Sequence, residues 1–197
     1  MLRDELTELQ FIAPIDNLAS ILQHGVLSHN QVRKLHHKSV AMQEIQDLRA
    51  QKVVPGGLAL HDYGNLYIRA RNPMMYKRKD QHESLCVLSI STAVLDIAGT
   101  VITDQNAAGR YVRFAASPEG LSHVNKDLTF ARDWRHPDDQ IAAWRHKAAK
   151  CAEVLVPNGV HRDYIRGIYV SGPTGLQRVQ AVTVSKAAHV NADLFFQ

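Results

Sequence analysis

The sequence contains few cysteines and no long apolar runs, and each shortage excludes a class of protein. Cys86 and Cys151 are the only cysteines among 197 residues, and their spacing suggests neither a zinc site nor a disulfide framework. No apolar run approaches the roughly 20 residues of a membrane-spanning helix, and the N-terminal segment MLRDELTELQF is too charged for a signal peptide. We therefore expect a soluble cytoplasmic protein with reduced cysteines.

The motifs of several common enzyme classes are also missing. The chain has neither a Walker-type phosphate loop nor a GxGxxG turn, and it lacks the GxSxG motif of serine hydrolases. None of its eleven histidines forms an i, i+4 pair with a third ligand nearby, so each is interpreted as structural or solvated. Cys151 is interpreted as a small buried apolar residue. The sequence predicts no metal site.

The composition is that of a folded protein with a modest excess of positive charge. Hydrophobic residues make up 45% and charged residues 21% of the chain. This length allows one substantial core, so we predict a single domain over residues 1–197. The formal charge of +4 and the pI near 9.1 are compatible with a nucleic-acid partner but do not establish one, since basic soluble enzymes are common.

Alternating and apolar segments predict a mixed α+β fold. The first strand, in TELQFIAPI, is followed by a predicted helix that Asp16 or Asn17 caps and Gly25 ends. Another helix is predicted at residues 136–151, with Pro137 in its first turn. The other predicted strands lie in LALHDYGNLYI, LCVLSIS, TVITD, EVLVP, IRGIYVS and VQAVTVS.

Two segments place charged side chains at the ends of predicted strands. Arg71, in YIRARNPMMY, is either a surface cation or a bidentate clamp for phosphate, for which a planar guanidinium is well suited. Glu153, in KCAEVLV, is either a solvated strand end or a catalytic carboxylate aimed into a cleft. Residue types and spacing leave both pairs of alternatives open.

Four segments are informative in combination: FIAPIDNLASILQHGVLSH, SVAMQEIQDLRAQKVVPGGLALHDYGNLYIRARNPMMY, RYVRFAASPEGL and KAAKCAEVLVP. In this order they resemble the DarT family of toxins, which use NAD to ADP-ribosylate DNA bases. The resemblance implies an ADP-ribosyltransferase fold, a split and strongly bent β-core with flanking helices. NAD would lie in the cleft between the two halves of that core.

The resemblance also implies roles for individual residues. The predicted catalytic residues are Glu153, which matches the catalytic glutamate, and Arg71, which matches an arginine that binds NAD phosphate. The predicted NAD-binding residues are Phe11, Ala13, Asn17, Leu18, Gly25, Ser28, Tyr63 and Arg71. The predicted nucleic-acid contacts are Arg113, Arg132, Trp134 and Arg135, since guanidinium and aromatic planes stack on exposed bases. For Trp134, a place in the core is an equally open alternative.

Phe11 departs from the family pattern, because many members carry there a histidine that helps to bind the nicotinamide ribose. The departure indicates a divergent branch and leaves the acceptor base open. The expected function is transfer of ADP-ribose from NAD to a base of single-stranded DNA, without a metal, by the toxin of a toxin–antitoxin or phage-defence system. A macrodomain-type antitoxin is the expected partner. Two alternatives stay open: the same transfer to RNA or protein, and a nucleic-acid-binding domain whose transferase cleft has decayed.

Overall fold

The computed structural model describes residues 1–197 and contains ten strands and seven α-helices. The strands are β1 Leu9–Pro14, β2 Val26–Leu27, β3 Tyr63–Tyr67, β4 Leu85–Ile90, β5 Val101–Thr103, β6 Phe114–Ala116, β7 Glu153–Pro157, β8 Gly159–Val160, β9 Ile165–Val170 and β10 Ala188–Val190. The helices are α1 Leu18–His24, α2 His29–Val32, α3 Gln43–Ala50, α4 Pro73–Lys77, α5 Lys126–Phe130, α6 Gln140–Ala149 and α7 Pro173–Val182. None of these helices has the length and apolar character needed to cross a bilayer.

Eight of the strands form one mixed sheet in the order β10-β9-β4-β1-β3-β7-β5-β6. Neighbouring strands are antiparallel except for β9 and β10, which run parallel. The two short strands β2 and β8 form a separate antiparallel pair. A sheet flanked by helices agrees with the predicted α+β fold.

The large sheet is joined at its middle by one residue pair. β1 pairs with β4 along its whole length, and β3 does the same with β7. By contrast, β1 and β3 share only the pair Gln10–Tyr67. The sheet therefore consists of two halves, and the strand faces beside the gap are free to line a cavity. This arrangement agrees with the split core that the resemblance implies.

The main core lies on one side of both halves. Its 24 buried residues include Leu9, Leu66, Leu88, Val154 and Ile168, which come from five different strands. Burying a side chain of this size contributes about 1.5–3 kcal/mol. Packing of these residues therefore fixes the two halves of the sheet relative to each other, although few backbone hydrogen bonds join them.

Gly25 ends α1 as predicted, with a φ of +86° in the left-handed region. Asn17, one of the two predicted capping residues, is at the N-cap of α1, but its side chain makes no capping hydrogen bond to the N–H groups of the helix. The Asn17 side chain instead donates to the carbonyl of Lys38 at 2.7 Å and accepts from its N–H at 3.0 Å. The two residues therefore hold the loop that contains Lys38 against the start of α1.

Two further element predictions are wrong in their limits or type. α6 begins at Gln140 rather than near Pro137, because Asp139 is the N-cap and accepts from the Ala142 N–H at 2.8 Å. The sequence predicts a strand at residues 179–185, but they form the end of α7 and the loop after it. Leu176 and Val179 lie about one helical turn apart and pack against the main core, which favours a helix over the alternating pattern.

Candidate functional site

A cavity of about 520 Å³ opens between the two halves of the sheet. Phe11 and Ala13 of β1 line one wall, and Tyr63, Asn65 and Tyr67 of β3 line another. These β3 residues alternate along the strand, so their side chains point to the same face. Residues of α1, α2, α3 and α4 and of the loop at residues 37–42 line the remaining sides. The volume lies within the range of small-molecule and cofactor sites.

The carboxylate of Glu153 is completely buried behind the cavity wall. Glu153 begins β7 in the middle of its half-sheet, between Tyr67 of β3 and Thr103 of β5. Nη1 of Arg49 donates to Oε2 at 3.0 Å and to Oε1 at 3.4 Å, and the Ala107 N–H donates to Oε1 at 3.1 Å. Arg49 lines the cavity whereas Glu153 does not. The guanidinium therefore lies between the open space and the carboxylate.

Arg49 and Glu153 form the only salt bridge in the protein with both side chains buried, 6% and 0% exposed. Burial, reinforced by the Glu153 carboxylate, raises the pKa of the Tyr67 phenol well above its usual value. The same two causes raise the pKa of the Cys151 thiol to about 12. Both neighbours are therefore protonated near pH 7. Cys151 is buried, as interpreted from the sequence.

Three histidines also line the cavity, namely His29, His37 and His61. The rings of His29 and His61 stack with centroids 4.0 Å apart. Burial lowers the pKa of both, and the nearby Arg49 charge adds to this effect. Nε2 of His61 is buried and has no hydrogen-bond partner, so it is open to a polar atom of a ligand. An i, i+4 spacing rule does not identify this pair, because the two residues lie on different elements.

The family model for DarT, described as ssDNA thymidine ADP-ribosyltransferase, matches residues 11–196. This chain belongs to the DarT family. The predicted family is thereby confirmed.

Solved DarT structures share this fold. Thermus sp. 2.9 DarT in complex with ADP-ribosylated ssDNA has a TM-score of 0.84 and 26% sequence identity, covering 98% of this chain and 97% of that one. The same DarT in complex with NAD+ has a TM-score of 0.80 and 25% identity, covering 98% of each chain. These similarities confirm the predicted fold class.

A curated relative carries a further activity in the same chain. The DNA ADP-ribosyl transferase–DNA ADP-ribosyl glycohydrolase fusion protein of Thermosipho africanus is 31% identical over 173 residues. The match covers 83% of this chain and 42% of the fusion protein. This chain therefore spans less than half the length of that relative.

Most of the predicted NAD-binding residues lie at the cavity of this DarT chain. Those that line it are Phe11, Ala13, Asn17, Gly25 and Tyr63. Leu18 and Ser28 are buried and do not line it. Leu18 belongs to the main core, and Ser28 is the N-cap of α2. The structure thus brings together five of the eight residues, and the remaining residue is Arg71.

Arg71 contacts the C-terminal segment and does not line the cavity. Its Nη1 donates to the carbonyl oxygens of Asp193 at 2.8 Å and Phe195 at 2.6 Å. Its guanidinium lies 4.1 Å from the centroid of the Phe196 ring. The predicted roles of Arg71 in NAD binding and catalysis stay predictions, and in this geometry the guanidinium is outside the cavity wall.

The predicted nucleic-acid contacts lie in two places. Arg132, Trp134 and Arg135 lie on the loop between α5 and α6, where the two arginines are exposed and the tryptophan is half-buried. Arg113 is exposed just before β6, at the far edge of the large sheet. Its N–H donates to the Asp104 carboxylate at 3.0 Å. The structure groups the first three and separates Arg113 from them.

Trp144, which the sequence reasoning did not select, is the more exposed of the two tryptophans. It is 61% exposed on α6, three residues before Lys147 and seven before Cys151, both of which line the cavity. The spacing of three residues puts Trp144 and Lys147 on one face of α6, which ends at Ala149 before Cys151. Trp134 instead packs edge-on against two aromatic rings. The indole open to a ligand near the cavity is therefore that of Trp144.

Proposed function

We propose that this DarT chain transfers the ADP-ribose of NAD to a thymidine base of single-stranded DNA and acts as the toxin of a toxin–antitoxin pair. Its family membership supports this assignment. So does its similarity to the Thermus sp. 2.9 DarT whose structures hold NAD+ and ADP-ribosylated ssDNA. The observation that carries the proposal is the buried Glu153–Arg49 pair beside a cavity of NAD-compatible size.

The proposed reaction breaks one glycosidic bond and forms another. The bond from C1′ of the ribose to nicotinamide breaks, and its electron pair leaves with nicotinamide. Positive charge then develops on the ribose, where a nearby carboxylate stabilises it. A base nitrogen of thymidine bonds to C1′, and Glu153 accepts the proton that this nitrogen loses. Carboxylate and guanidinium supply the charges for these steps, so the proposed reaction uses no metal.

Arg49 is a positioning residue in this proposal, because it acts through the Glu153 carboxylate. Its two hydrogen bonds fix the orientation of the carboxylate, with the Ala107 N–H as a third donor. Since the guanidinium lies between the carboxylate and the cavity, it must shift for Glu153 to contact the ribose. A phosphate of NAD in the cavity would attract the guanidinium and favour that shift.

The proposed partner is a macrodomain-type enzyme that removes ADP-ribose from DNA. The Thermosipho africanus relative, which joins a transferase to a DNA ADP-ribosyl glycohydrolase, supports this pairing. Reversal of the modification by a separate glycohydrolase would neutralise the toxin without any contact to the chain itself.

Transfer of radiolabelled NAD to defined acceptors tests the proposed function. A thymidine-containing single-stranded oligonucleotide should be labelled, whereas one with every dT replaced by dC, an RNA pool and a protein pool should not. Glu153→Gln should lower the rate by about 10²–10⁴-fold, the usual contribution of a general base. Glu44→Gln, an exposed carboxylate on α3, is the matched control and should keep the wild-type rate.

Two results would contradict this assignment. Labelling confined to RNA or protein would show that the acceptor is wrong. Wild-type labelling by a folded Glu153→Gln variant would show that the carboxylate does not act in the reaction.

A further inference from the structure

Four cations form what we call the Asp193 cluster, and two of them, Arg69 and Arg132, bind the carboxylate of Asp193. Nη2 of Arg132 lies 2.8 Å from Oδ1 of Asp193, and Nη2 of Arg69 lies 3.4 Å from Oδ2. Nη1 of Arg71 donates to the Asp193 carbonyl oxygen at 2.8 Å. Burial lowers the pKa of the fourth cation, Lys150, to about 8, and the charges of Arg69 and Arg71 contribute.

Positive charge exceeds negative charge in this cluster. A second carboxylate, that of Asp133, also acts on Arg71, but it is already paired: its Oδ2 lies 2.5 Å from Nη2 of Arg135. Nε of Arg71 is buried and has no hydrogen-bond partner. Cations held close together repel one another, and guanidinium groups pair bidentately with phosphate. The cluster is therefore better matched to a phosphate than to the single carboxylate that it holds.

Aromatic rings lie against the cluster. The Phe196 ring stacks on the Arg71 guanidinium, at 4.1 Å from centroid to Cζ. Phe196, Trp134 and Tyr76 contact one another edge-on with centroids 5.2–5.8 Å apart. Tyr76 is 47% exposed. Cationic surfaces beside exposed aromatic rings are typical of proteins that bind single-stranded nucleic acids along the backbone.

The cluster lies next to the cavity but outside it. Arg71 lies two residues before the start of α4, and Met74 and Lys77 of that helix line the cavity. Lys150 directly precedes Cys151, which also lines it. None of the four cations is part of the wall. A strand whose phosphates lie on the cluster can therefore present a base to the cavity mouth.

We propose that Arg69, Arg71 and Arg132 bind the phosphodiester backbone of single-stranded acceptor DNA, and that a DNA phosphate displaces the Asp193 carboxylate from them. The inference rests on the proposed function, since acceptor DNA is the occupant. It assigns Arg71 to the DNA phosphate, whereas the sequence resemblance assigned it to the phosphate of NAD. Asp193 thus acts as an internal competitor that keeps the arginines ordered when no DNA is bound.

Binding of a fluorescent thymidine-containing oligonucleotide, measured by anisotropy without NAD at several KCl concentrations, tests this site. Arg132→Ala is the main variant, because its side chain is 78% exposed and its removal should not disturb the fold. We expect its Kd to rise about tenfold, as for removal of one charged hydrogen-bonding group. The slope of log K against log salt should fall by about 0.7 for each phosphate that the variant no longer binds.

Asp193→Asn gives the opposite expected result. Without the competing carboxylate, the oligonucleotide should bind several-fold more tightly. Arg3→Ala is the matched control, because Arg3 forms a similarly exposed salt bridge with Asp96 at 2.5 Å. It should change neither the Kd nor the salt slope. Calorimetry with NAD should give the wild-type affinity for the Arg132→Ala, Asp193→Asn and Arg71→Ala variants.

Three results would overturn the site. The first is DNA binding by Asp193→Asn that is unchanged or weaker than that of wild type. The second is the same Kd and the same salt slope for Arg132→Ala and Arg3→Ala. The third is an Arg71→Ala variant that loses affinity for NAD but not for DNA. Failure of the proposed function is distinguishable from these. In that case the wild-type protein binds the oligonucleotide through the cluster but does not label it when NAD is added.

Discussion

Two charged groups beside the same cavity differ in burial and in charge balance. The Arg49–Glu153 pair is buried, and it matches one cation with one carboxylate that has the Ala107 N–H as a further donor. In the Asp193 cluster, two of the four cations share one carboxylate, a third donates to the Asp193 carbonyl oxygen, and the fourth is Lys150. Its salt-bridged side chains are between 25% and 78% exposed.

This difference in burial and charge balance indicates which of the two groups can exchange its partner. Removal of one partner from a buried ion pair leaves an uncompensated charge and costs about 3–5 kcal/mol. An exposed pair contributes about 0–1 kcal/mol and is screened by salt. The buried pair is therefore suited to hold a reactive carboxylate in place. The exposed cluster is suited to release its carboxylate when a better anion arrives.

The largest expected effect is on the buried pair. Arg49→Ala should lower the free energy of unfolding by about 3–5 kcal/mol, because it leaves the Glu153 charge buried without its cation. Urea denaturation measures this change, and Arg132→Ala, which removes an exposed partner of Asp193, should stay within about 1 kcal/mol of wild type. The double variant Arg49→Met/Glu153→Leu should recover most of the stability and none of the transfer activity.

Equal losses in the free energy of unfolding for Arg49→Ala and Arg132→Ala would contradict this prediction. They would show that the buried guanidinium contributes no more than an exposed one, and that Glu153 does not need Arg49 to remain in place. The double variant separates the two roles, since its stability reports on packing and its activity reports on the carboxylate.

The parts of the fold that depend on local pattern could be predicted from the sequence. Gly25 marked the end of α1, and the apolar runs marked β1, β4 and β7. The strand predicted at residues 179–185 failed, because Leu176 and Val179, about one helical turn apart, both pack against the core when this segment begins as a helix. That outcome depends on tertiary packing, which short-range patterns do not contain.

Residues of the candidate site could be named where ordered segments carried a resemblance, and not where two distant residues combine. The resemblance named Glu153 and five of the residues that line the cavity, and their roles stay predictions. Arg49 was not named, because its partner Glu153 lies 104 residues away. The direction of Arg71 depends on Phe195, 124 residues away. No spacing rule connects residues at such separations, so only the folded chain identifies these interactions.

The two tryptophans, like the two charged groups, differ in exposure, since Trp144 is exposed and Trp134 is half-buried. Trp144→Ala should weaken binding of single-stranded DNA by about 1–3 kcal/mol, the usual contribution of a stacked base, with little change in stability. Trp134→Ala should mainly lower stability, since it removes two edge-on ring interactions worth about 0.5–1.5 kcal/mol each. Anisotropy with the oligonucleotide and urea denaturation of both variants measure this. Wild-type DNA binding by Trp144→Ala would show that its exposed indole does not contact the acceptor.

The most gradual expected effect is a dependence of stability on pH that comes from Lys150, the buried member of the Asp193 cluster. Its ammonium is 0% exposed and donates to the carbonyl oxygens of Thr129 and Ala131 at 2.9 and 2.6 Å. Burial lowers its pKa to about 8 in the folded protein, against about 10.4 in an unfolded chain. Between these values the unfolded state binds more protons. The Lys150 contribution to the free energy of unfolding therefore rises with pH, by at most about 1.4 kcal/mol per pH unit.

A comparison with Lys150→Met isolates this contribution. Cys86 and Cys151, whose pKa values burial raises to about 12, act in the opposite direction, because the folded state keeps protons that the unfolded thiols lose. Wild type and variant share this opposing effect, so it cancels in their difference. Urea denaturation in steps between about pH 7.5 and pH 10 should show wild type gaining stability relative to Lys150→Met. Parallel pH curves would mean that Lys150 keeps its ordinary pKa. In that case water or a nearby anion reaches the ammonium, and the cluster is less crowded with positive charge than its geometry indicates.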